Sequence, residues 1–336
     1  MRQDKILLAH GSGGTMMRDL IEDVFMSGFD DEILSRMEDA AALDVPPGRI
    51  SMSTDTYVVN PVFFPGGDIG RLAICGTVND VATAGATPLY LSVGFILEEG
   101  FPVADLRRIL ETMRDSAAEA GVQIVTGDTK VVEKGHADGI FINTAGIGVI
   151  REGVSLSSGS CVPGDKVLLS GTLGDHGIAV VSIREGLTFD TDIETDAAPL
   201  NHLINATLDA APNARCFRDP TRGGLASTLN ELAGASAVSI TVEEDLVPVR
   251  PQVRGASEML GYDVFQVANE GKMVSIVPAD EADAALEAMR NAPYGADAAI
   301  IGEVAEGPAG KVYVKTGFGS KRIMDMLVGE QLPRIC

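Results

Sequence analysis

Glycine interrupts this sequence more often than is usual, and the segments between the glycine turns alternate between strand-like and helix-like patterns. Glycine supplies 38 of 336 residues, about 11% against a usual ~7%, and it clusters in turns at no fixed period. Strands are predicted at residues 50–54, 57–62, 89–97, 122–125, 139–150, 166–170, 273–277, 298–304 and 312–316. Helices are predicted at residues 16–25, 72–84, 103–120, 178–185, 225–235, 280–290 and 320–327. This alternation predicts an α/β fold.

The length and one break in the periodicity predict two domains. At roughly 150 residues a domain, a chain of 336 residues favours two units. Residues 151–165 are rich in serine and glycine and follow neither period, so we predict an N-terminal domain over residues 1–152 and a C-terminal domain over residues 153–327. Residues 328–336 contain Pro333 and show no clear pattern. They are predicted to form a mobile tail that ends on Cys336.

The charge balance limits the partners of the chain. Lysine and arginine number 26 and aspartate and glutamate 48, which gives a net charge of -22. Such a charge repels phosphate backbones and anionic lipids, so nucleic acid and membrane surfaces are excluded as partners. An anionic ligand such as a nucleotide would need a divalent cation to screen the carboxylates, and Mg²⁺ is the cation that usually accompanies phosphates.

The uncharged stretches and the cysteines predict a cytoplasmic protein. The longest uncharged stretch, residues 81–97, has 17 residues, and its glycines and proline make it too short and too broken for a membrane span. The N-terminal region lacks the pattern of a signal peptide. The cysteines, Cys75, Cys161, Cys216 and Cys336, show no paired spacing, which is typical of reduced thiols rather than of a disulfide framework.

A glycine-rich loop precedes the first predicted helix. It consists of His10, Gly11, Ser12, Gly13 and Gly14. Glycines at a helix start let backbone N–H groups approach an anion, which the helix dipole also favours. An ordinary flexible loop would have the same composition. The sequence lacks the usual motifs of a P-loop, a dinucleotide fold, a zinc site or a nucleophile elbow, so a nucleotide would have to be bound in another way.

Three aspartates end or follow apolar segments and are candidates for a metal and nucleotide site. Asp55 and Asp128 are predicted to lie just past strands, where ligands of α/β sheets bind, and Asp80 lies in the predicted helix 72–84. The alternative is that the first two are turn residues and Asp80 a solvated carboxylate. Lys130 could hold a transferring phosphoryl group, or it could be a surface lysine paired with Asp128.

The second half of the chain contains further candidate segments. Residues 171–177 and 218–224 each open a predicted helix, and they suit either phosphate binding or helix capping. Glu270 precedes a predicted strand and could act as a general base if burial raised its pKa; the alternative is an exposed hairpin-like turn. His176 and His202 have no partners at ligand spacing and are interpreted as structural.

Eight segments in order carry a resemblance to a known family. They are HGSGGT, STDTYVV, ICGTVNDVATAGATP, VTGDTK, SGTLGDHG, DPTRGG, ANEGK and the terminal PRIC. Together they resemble the HypE family of hydrogenase maturation proteins, which belongs to the aminoimidazole-ribonucleotide-synthetase-like (PurM-like) superfamily. The resemblance covers nearly the whole chain. It implies a two-domain PurM-like fold, with an N-terminal mixed sheet that pairs in a homodimer and a C-terminal α/β sandwich.

The resemblance also implies an activity. Members of this family accept a carbamoyl group on their C-terminal cysteine from a HypF-like carbamoyltransferase and dehydrate it to a thiocyanate with ATP and Mg²⁺. They pass the cyanide to iron on a HypC–HypD-like scaffold complex. The resemblance implies that Cys336 is the carrier, Lys130 steadies the phosphoryl group and Glu270 is the base. The implied nucleotide contacts are His10, Gly11, Ser12, Gly13, Gly14, Asn79, Asp80 and Asp128, and the implied metal ligands are Asp55, Asp80 and Asp128.

Two other functions remain open from the residues. The first is a small-molecule kinase or synthetase of the same superfamily, although a selenophosphate synthetase would carry a reactive cysteine in the first glycine loop, where this chain has Ser12. The second is a nucleotide-gated scaffold without chemistry. At about 3.3–3.6 Å per extended residue, the predicted tail could span roughly 30 Å, far enough to move between a partner and a cleft.

Overall fold

The structure is a computed structural model that describes residues 3–29, 31–187, 193–327, 329, 332 and 334–336. The strands are β1 (Ile50–Tyr57), β2 (Phe63–Phe64), β3 (Gly67–Asp68), β4 (Ala86–Glu98), β5 (Gln123–Val132), β6 (Ile140–Ile150), β7 (Lys166–Leu169), β8 (Cys216–Arg218), β9 (Ser239–Glu243), β10 (Val274–Val277), β11 (Ala299–Ala305), β12 (Lys311–Lys315) and β13 (Lys321–Ile323). The α-helices are α1 (Thr15–Leu20), α2 (Ser27–Phe29), α3 (Ile69–Thr83), α4 (Val103–Ala120), α5 (Asp175–Arg184), α6 (Asn201–Ala210), α7 (Gly224–Ala235), α8 (Pro251–Leu260) and α9 (Ala282–Asn291). A π-helical stretch, Ile21–Met26, joins α1 to α2.

The first sheet is mixed and has the strand order β1-β6-β4-β5. The pairs β1–β6 and β6–β4 are antiparallel, and β4–β5 is parallel. Helices α3 and α4 pack against each other, and α3 also contacts β1, β6 and β4. Alternate residues of β1 point away from α3, which leaves Ile50 and Met52 57% and 71% exposed. The sheet therefore has one covered face and one face that presents apolar side chains to the surface.

Helix α3 lies close to its neighbours because its sequence contains glycines at the contacts. Asp68 caps the helix by accepting hydrogen bonds from the N–H groups of Gly70 and Arg71 at 2.8 and 3.0 Å, as N-cap aspartates do. A Cβ on Gly70 would lie 2.7 Å from the carbonyl oxygen of Ile109 in α4. A Cβ on Gly76 would lie 2.3 Å from the hydroxyl oxygen of Tyr57. A side chain at Gly70 would push α3 away from α4, and a side chain at Gly76 would clash with Tyr57 of β1.

The second sheet has the order β13-β12-β9-β11-β7-β10-β8, with β12–β9 parallel and the other pairs antiparallel. Its two faces are covered by different helices. Val167 and Leu169 join the apolar cluster under α7, whereas Leu168 joins the cluster under α6 and α9. Successive residues of a strand point to opposite faces, so the second half of the chain is an α/β sandwich.

The α/β class is confirmed, and most predicted segments correspond to elements, but several boundaries differ. The helix predicted at residues 320–327 is wrong, because Lys321–Ile323 form the edge strand β13 on β12. The strand predicted at 50–54 continues to Tyr57, and the strand predicted at 57–62 is wrong, because residues 58–62 lie outside any strand. The strand predicted at 122–125 continues to Val132. Helices α2, α6 and α8 and strands β2, β3, β8 and β9 correspond to no predicted segment.

All the cysteines are free, as expected. The sulfur atoms of Cys161 and Cys216 nevertheless lie 3.9 Å apart in the interior. No helix formed by the described residues is long and apolar enough to cross a membrane. Of the predicted tail, residues 328, 330, 331 and 333 lie outside the described residues.

Candidate active site around Cys336

The C-terminal end of the chain lies against the segment that follows β1. The N–H group of Val58 donates to the carbonyl oxygen of Cys336 at 3.2 Å, and that of Asn60 donates to the carbonyl oxygen of Arg334 at 3.3 Å. Ile335 is only 3% exposed and belongs to the core cluster of the N-terminal half. The last three residues are therefore docked between the two halves of the chain. They line a cleft of about 400 Å³.

Docking places the Cys336 thiol beside the carboxyl group of Glu270. The thiol and the carboxyl group are close enough for each to shift the pKa of the other, and Glu270 is only 5% exposed. Burial, followed by repulsion from Asp219, Asp196 and Asp55, raises the pKa of Glu270 well above its ordinary value. Burial and the nearby Glu270 likewise raise the pKa of the Cys336 thiol. Low-polarity surroundings and like charges thus disfavour the anionic form of both groups.

Asn269 fixes the backbone that leads into Glu270. Its Oδ1 accepts a hydrogen bond from the N–H of Gly174 at 2.8 Å, and its Nδ2 donates to the carbonyl oxygens of Pro220 and Val267 at 3.0 and 2.9 Å. One buried amide therefore ties together the segments 171–177, 218–224 and 269–272. Their proximity was not foreseen from the sequence, where they are separate helix-opening segments.

The backbone after Glu270 lies in contact with the segment around Asp196. A Cβ on Gly271 would lie 1.7 Å from the carbonyl oxygen of Asp196, so only glycine fits. Oδ1 of Asp196 accepts the N–H of Glu270 at 3.0 Å, and Oδ2 pairs with the buried Lys272 at 3.1 Å. The alternative of an exposed turn is therefore wrong: Glu270 is built into the interior.

A group of carboxylates adjoins Glu270. Asp80, on α3, accepts a hydrogen bond from the Ser53 hydroxyl at 2.8 Å. Burial, and then the nearby Asp219 and Asp55, raise the pKa of Asp80 to about 6. Asp55 lies within β1 rather than just past it, which corrects the sequence prediction. Asp219 was not singled out in the sequence, although it follows β8 in the segment 218–224.

The raised pKa of Asp80 predicts a stabilising substitution. A carboxyl group that ionises less readily in the folded state favours folding below its unfolded pKa, and this contribution is lost as the pH rises through the folded value. Asp80→Asn removes the cost of ionising a buried carboxyl group, and the asparagine can still accept the hydrogen bond from Ser53. We expect a free energy of unfolding higher by about 1–3 kcal/mol at pH 8 and by less at pH 5. Urea unfolding at both pH values measures it, and an equal gain at both would contradict the electrostatic cause.

Asp128 and Lys130 lie on the opposite edge of the first sheet. Both are interior positions of β5, so the prediction that Asp128 follows a strand is wrong. Their side chains form an exposed ion pair at 2.6 Å, and the Lys130 ammonium lowers the pKa of Asp128. Strands β6 and β4 separate Asp55 from Asp128, which at about 4.8 Å per strand is ~14 Å. Among the described residues, no three His, Cys, Asp or Glu side chains are placed to hold a metal ion.

The glycine-rich loop lies beside β5. A Cβ on Gly11 would lie 2.9 Å from the Cβ of Val131, so glycine permits this contact. Gly13 has a φ of +77° with open space around it, and residues 12–14 are exposed. His10 is buried, its Nδ1 accepts the N–H of Leu7 at 2.9 Å, and burial lowers its pKa. The loop is thus adjacent to the strand of Asp128 and Lys130. The His10 ring is directed inward, where it accepts the Leu7 N–H.

An apolar cavity of about 210 Å³ lies between the first helical segment and the first sheet. Met17 and Phe25 line it from the helical side, and Phe95 from β4. Asp128 and Thr129 contribute polar groups to its lining. A cavity with apolar walls and a few polar groups is the usual form of a small-molecule site.

Two family models match the chain. "AIR synthase related protein, N-terminal domain" matches residues 37–150, and "AIR synthase related protein, C-terminal domain" matches residues 162–315. The carbamoyl dehydratase HypE of Azotobacter vinelandii is 54% identical over 336 residues, which is 100% of this chain and 98% of the relative. The chain belongs to the HypE family. The HypE of Escherichia coli is 46% identical over 338 residues, 99% of this chain and 100% of that protein.

Solved structures of HypE proteins have the same fold. A HypE in complex with ATP superposes with a TM-score of 0.95 at 49% identity and covers 98% of this chain and 99% of its own. A HypE in a HypE–HypF complex gives a TM-score of 0.81 at 52% identity, with 92% and 99% covered. A thiamine-monophosphate kinase from Stenotrophomonas maltophilia, at 21% identity and a TM-score of 0.64, shares the fold alone. The predicted family and its PurM-like fold are confirmed.

Asn79, a family nucleotide position by resemblance, is engaged elsewhere in this structure. Its Nδ2 donates to the carbonyl oxygen of Ala198 at 3.0 Å, and its Oδ1 accepts the N–H of Leu200 at 2.7 Å. The side chain is 2% exposed. These bonds attach α3 to the segment that precedes α6, so Asn79 joins the two halves of the chain. Its role as a nucleotide contact stays a prediction.

The buried bonds of Asn79 predict a large loss of stability on truncation. Asn79→Ala leaves the buried N–H of Leu200 and the carbonyl of Ala198 without partners, so we expect the free energy of unfolding to fall by about 2–4 kcal/mol. Asn291→Ala, at an exposed asparagine at the end of α9, is the control and should change it by about 0.5 kcal/mol or less. Urea unfolding gives the values. Unchanged stability with a loss of ATP affinity would instead make Asn79 a nucleotide contact.

Proposed function

We propose that the chain dehydrates an S-carbamoyl group on its own Cys336 to a thiocyanate, at the expense of ATP, and so supplies the cyanide ligand for the iron centre of [NiFe]-hydrogenase. The observation that carries this proposal is the docking of Cys336 against the buried Glu270. A reacting group and a base in contact, shielded from water, form the arrangement that proton abstraction requires. The carbamoyl dehydratase relatives and the HypE bound to ATP support the same activity.

The chemistry needs two proton transfers and one phosphoryl transfer. The oxygen of Cys336–S–C(=O)NH₂ attacks the terminal phosphate of ATP, the nitrogen loses one proton, and ADP leaves. The resulting S–C(=NH)–O–phosphate loses its second N–H proton as the C–O bond breaks, which gives S–C≡N and phosphate. Glu270 takes a proton at its carboxylate oxygen, and its raised pKa makes it a stronger base than an exposed glutamate. Lys130, which is paired with Asp128, would supply fixed positive charge for the phosphoryl group from a second copy of the chain.

The nucleotide and Mg²⁺ would bind between the glycine-rich loop and the carboxylates. Mg²⁺ is usually held by one or two carboxylates plus phosphate oxygens, and a cation would offset the burial and the repulsion from Asp219 and Asp55 that raise the pKa of Asp80. Asp55 and Asp80 would supply its protein oxygens. Asp128, about 14 Å across the sheet from Asp55, would reach such an ion only from a second copy of the chain. The exposed apolar face of the first sheet, with Ile50 and Met52, is the surface proposed for that homodimer.

The division of the chain and its partners are part of the same proposal. Residues 1–152 form the nucleotide-binding and dimerisation domain, residues 153–327 form the second domain, and residues 328–336 form the tail that carries Cys336. The tail receives carbamoyl from a HypF-like transferase and delivers cyanide to a HypC–HypD-like iron scaffold, in the cytoplasm. The solved HypE–HypF complex of a chain 52% identical to this one supports the first partner.

Mass spectrometry of the C-terminal peptide tests the proposal. The full chain is incubated with a HypF-type carbamoyltransferase, its substrates and Mg²⁺, with and without ATP in a second stage. We expect the peptide to gain one carbamoyl group and then, only with ATP, to lose one water. ATP turnover on a free metabolite by a chain that lacks residues 328–336 would instead favour a small-molecule kinase, and ATP-dependent partner binding without ADP formation would favour a scaffold.

A further inference from the structure

A chain of hydrogen bonds through the interior ends on the docked C-terminal segment. Nε2 of His176 lies 2.8 Å from the carbonyl oxygen of Ile335, and Nδ1 lies 2.7 Å from the hydroxyl oxygen of Thr195. His176 is 0% exposed, and its ring packs edge-on against Phe64 with the ring centroids 5.5 Å apart. The imidazole therefore has a fixed orientation, with one nitrogen directed at the backbone next to Cys336.

The partners of Thr195 determine which imidazole nitrogen carries the proton. The Thr195 hydroxyl oxygen accepts the N–H of Ala197 at 3.1 Å, so its own O–H is available to donate to Nδ1 of His176. Nε2 then carries the hydrogen and donates to the carbonyl of Ile335, an obligatory acceptor. Burial lowers the pKa of His176, which keeps the ring neutral and this arrangement intact.

The same loop also holds the base. Asp196 follows Thr195 directly, and its Oδ1 accepts the backbone N–H of Glu270 at 3.0 Å. Thr195 and Asp196 thus act on the two groups that meet at the site, the Cys336 thiol and the Glu270 carboxyl group. Thr195 acts through His176 on the segment that carries the thiol, and Asp196 acts on the backbone of the carboxylate. Both bonds therefore help to fix the sulfur relative to Glu270.

We propose that His176 is a positioning residue that latches the C-terminal segment by donating a hydrogen bond from Nε2 to Ile335, with Thr195 fixing the tautomer. The latch holds Cys336 against Glu270 and carries no proton in the reaction itself. This inference rests on the proposed function for its purpose, but the docking it describes can be measured in the unmodified protein without ATP or a carbamoyl donor.

Alkylation of the cysteines by iodoacetamide measures the docking. In the full chain the docked Cys336 should react slowly, and His176→Ala should raise its rate about fivefold or more, the change expected when one neutral hydrogen bond is lost. The buried Cys75, Cys161 and Cys216 are internal controls, since they accelerate only if the whole protein opens. An unchanged rate at Cys336, read by mass spectrometry of each peptide, would overturn the proposal.

Conservative variants separate a latch from a general packing role. His176→Gln retains an N–H donor on a side chain of similar reach, so the slow rate at Cys336 should be largely restored. Thr195→Val removes the hydroxyl that orders the ring and should raise the Cys336 rate, whereas Thr195→Ser should not. If His176→Ala speeds alkylation of all the cysteines, the comparison of Thr195→Val with Thr195→Ser decides whether the latch exists. Equal Cys336 rates for Val and Ser there would reject the latch.

A final comparison connects docking to turnover. With the protein carbamoylated beforehand, we expect His176→Ala to lower the first-order rate of dehydration, at most by the factor by which it speeds alkylation, because dehydration follows the docked fraction and alkylation the undocked fraction. The affinity for ATP and the yield of carbamoylation should stay unchanged. If the wild-type chain shows no dehydration, the proposed function fails, and the alkylation result still decides whether His176 latches the segment.

Discussion

Replacing Glu270 by glutamine is expected to slow dehydration of carbamoylated Cys336 by about 10²–10⁴-fold, the usual contribution of a positioned general base. Glutamine has nearly the shape of glutamate and keeps the backbone bond to Asp196, but it cannot accept the N–H proton. Carbamoylation of the thiol should continue, so the S-carbamoyl form should accumulate. Single-turnover mass spectrometry of the C-terminal peptide measures both stages.

The pH dependence identifies the reason for the loss in Glu270→Gln. Glu270 acts as a base only when ionised, and its pKa is raised well above the ordinary value. The wild-type rate should therefore rise with pH through that raised pKa, and the variant should lack this rise. The exposed Glu287 on α9 offers a matched control, and Glu287→Gln should keep both the rate and the pH profile.

Stability measurements exclude unfolding as the cause of the loss. A carboxyl group with a raised folded pKa favours folding below its unfolded pKa and loses that contribution as the pH rises through the folded one. Glu270→Gln should therefore be as stable as the wild type at low pH and more stable at pH 8. A less stable variant with wild-type dehydration would overturn the role assigned to Glu270.

The sequence predicts elements well where side-chain periodicity alone decides the structure. Helix α4 matches its predicted range of residues 103–120, because an apolar stripe including Leu106, Ile109 and Met113 faces the core. The helix predicted at residues 320–327 fails for the opposite reason: three residues are too few to show a period, and their strand exists through backbone pairing with β12. Strand pairing of so short a segment depends on its context and leaves no periodic signal in the sequence.

The site was predictable only in part for a related reason. Cys336 and Glu270 stand out by their match to family segments, and the structure brings them together. His176 was interpreted as structural because its partners, Thr195 and Ile335, lie 19 and 159 residues away. The aspartates were expected to meet because each follows an apolar segment, but Asp55 and Asp128 are on opposite edges of one sheet. Motifs identify residue types, whereas strand order determines which of them are neighbours.

Replacing Cys336 by serine is expected to abolish both carbamoylation and thiocyanate formation. A thiolate accepts the carbamoyl group, and a serine hydroxyl does not ionise near neutral pH. Serine keeps the size of the side chain, so the fold and ATP affinity should be unchanged. Peptide mass spectrometry after incubation with the donor and ATP measures the loss, and Cys161→Ser, remote from the cleft, is the matched control. A carbamoyl adduct on any other cysteine of the Cys336→Ser chain would contradict the assignment.

The docked state itself implies where carbamoylation takes place. Burial and Glu270 raise the pKa of the docked thiol, so docked Cys336 is a poor nucleophile, while the same contact suits dehydration of a carbamoyl group already attached. Loading should therefore require undocking, and variants that undock Cys336 should load as fast as the wild type or faster but dehydrate more slowly. Loading and dehydration that both slow in such a variant would show that the docked conformation also receives the carbamoyl group.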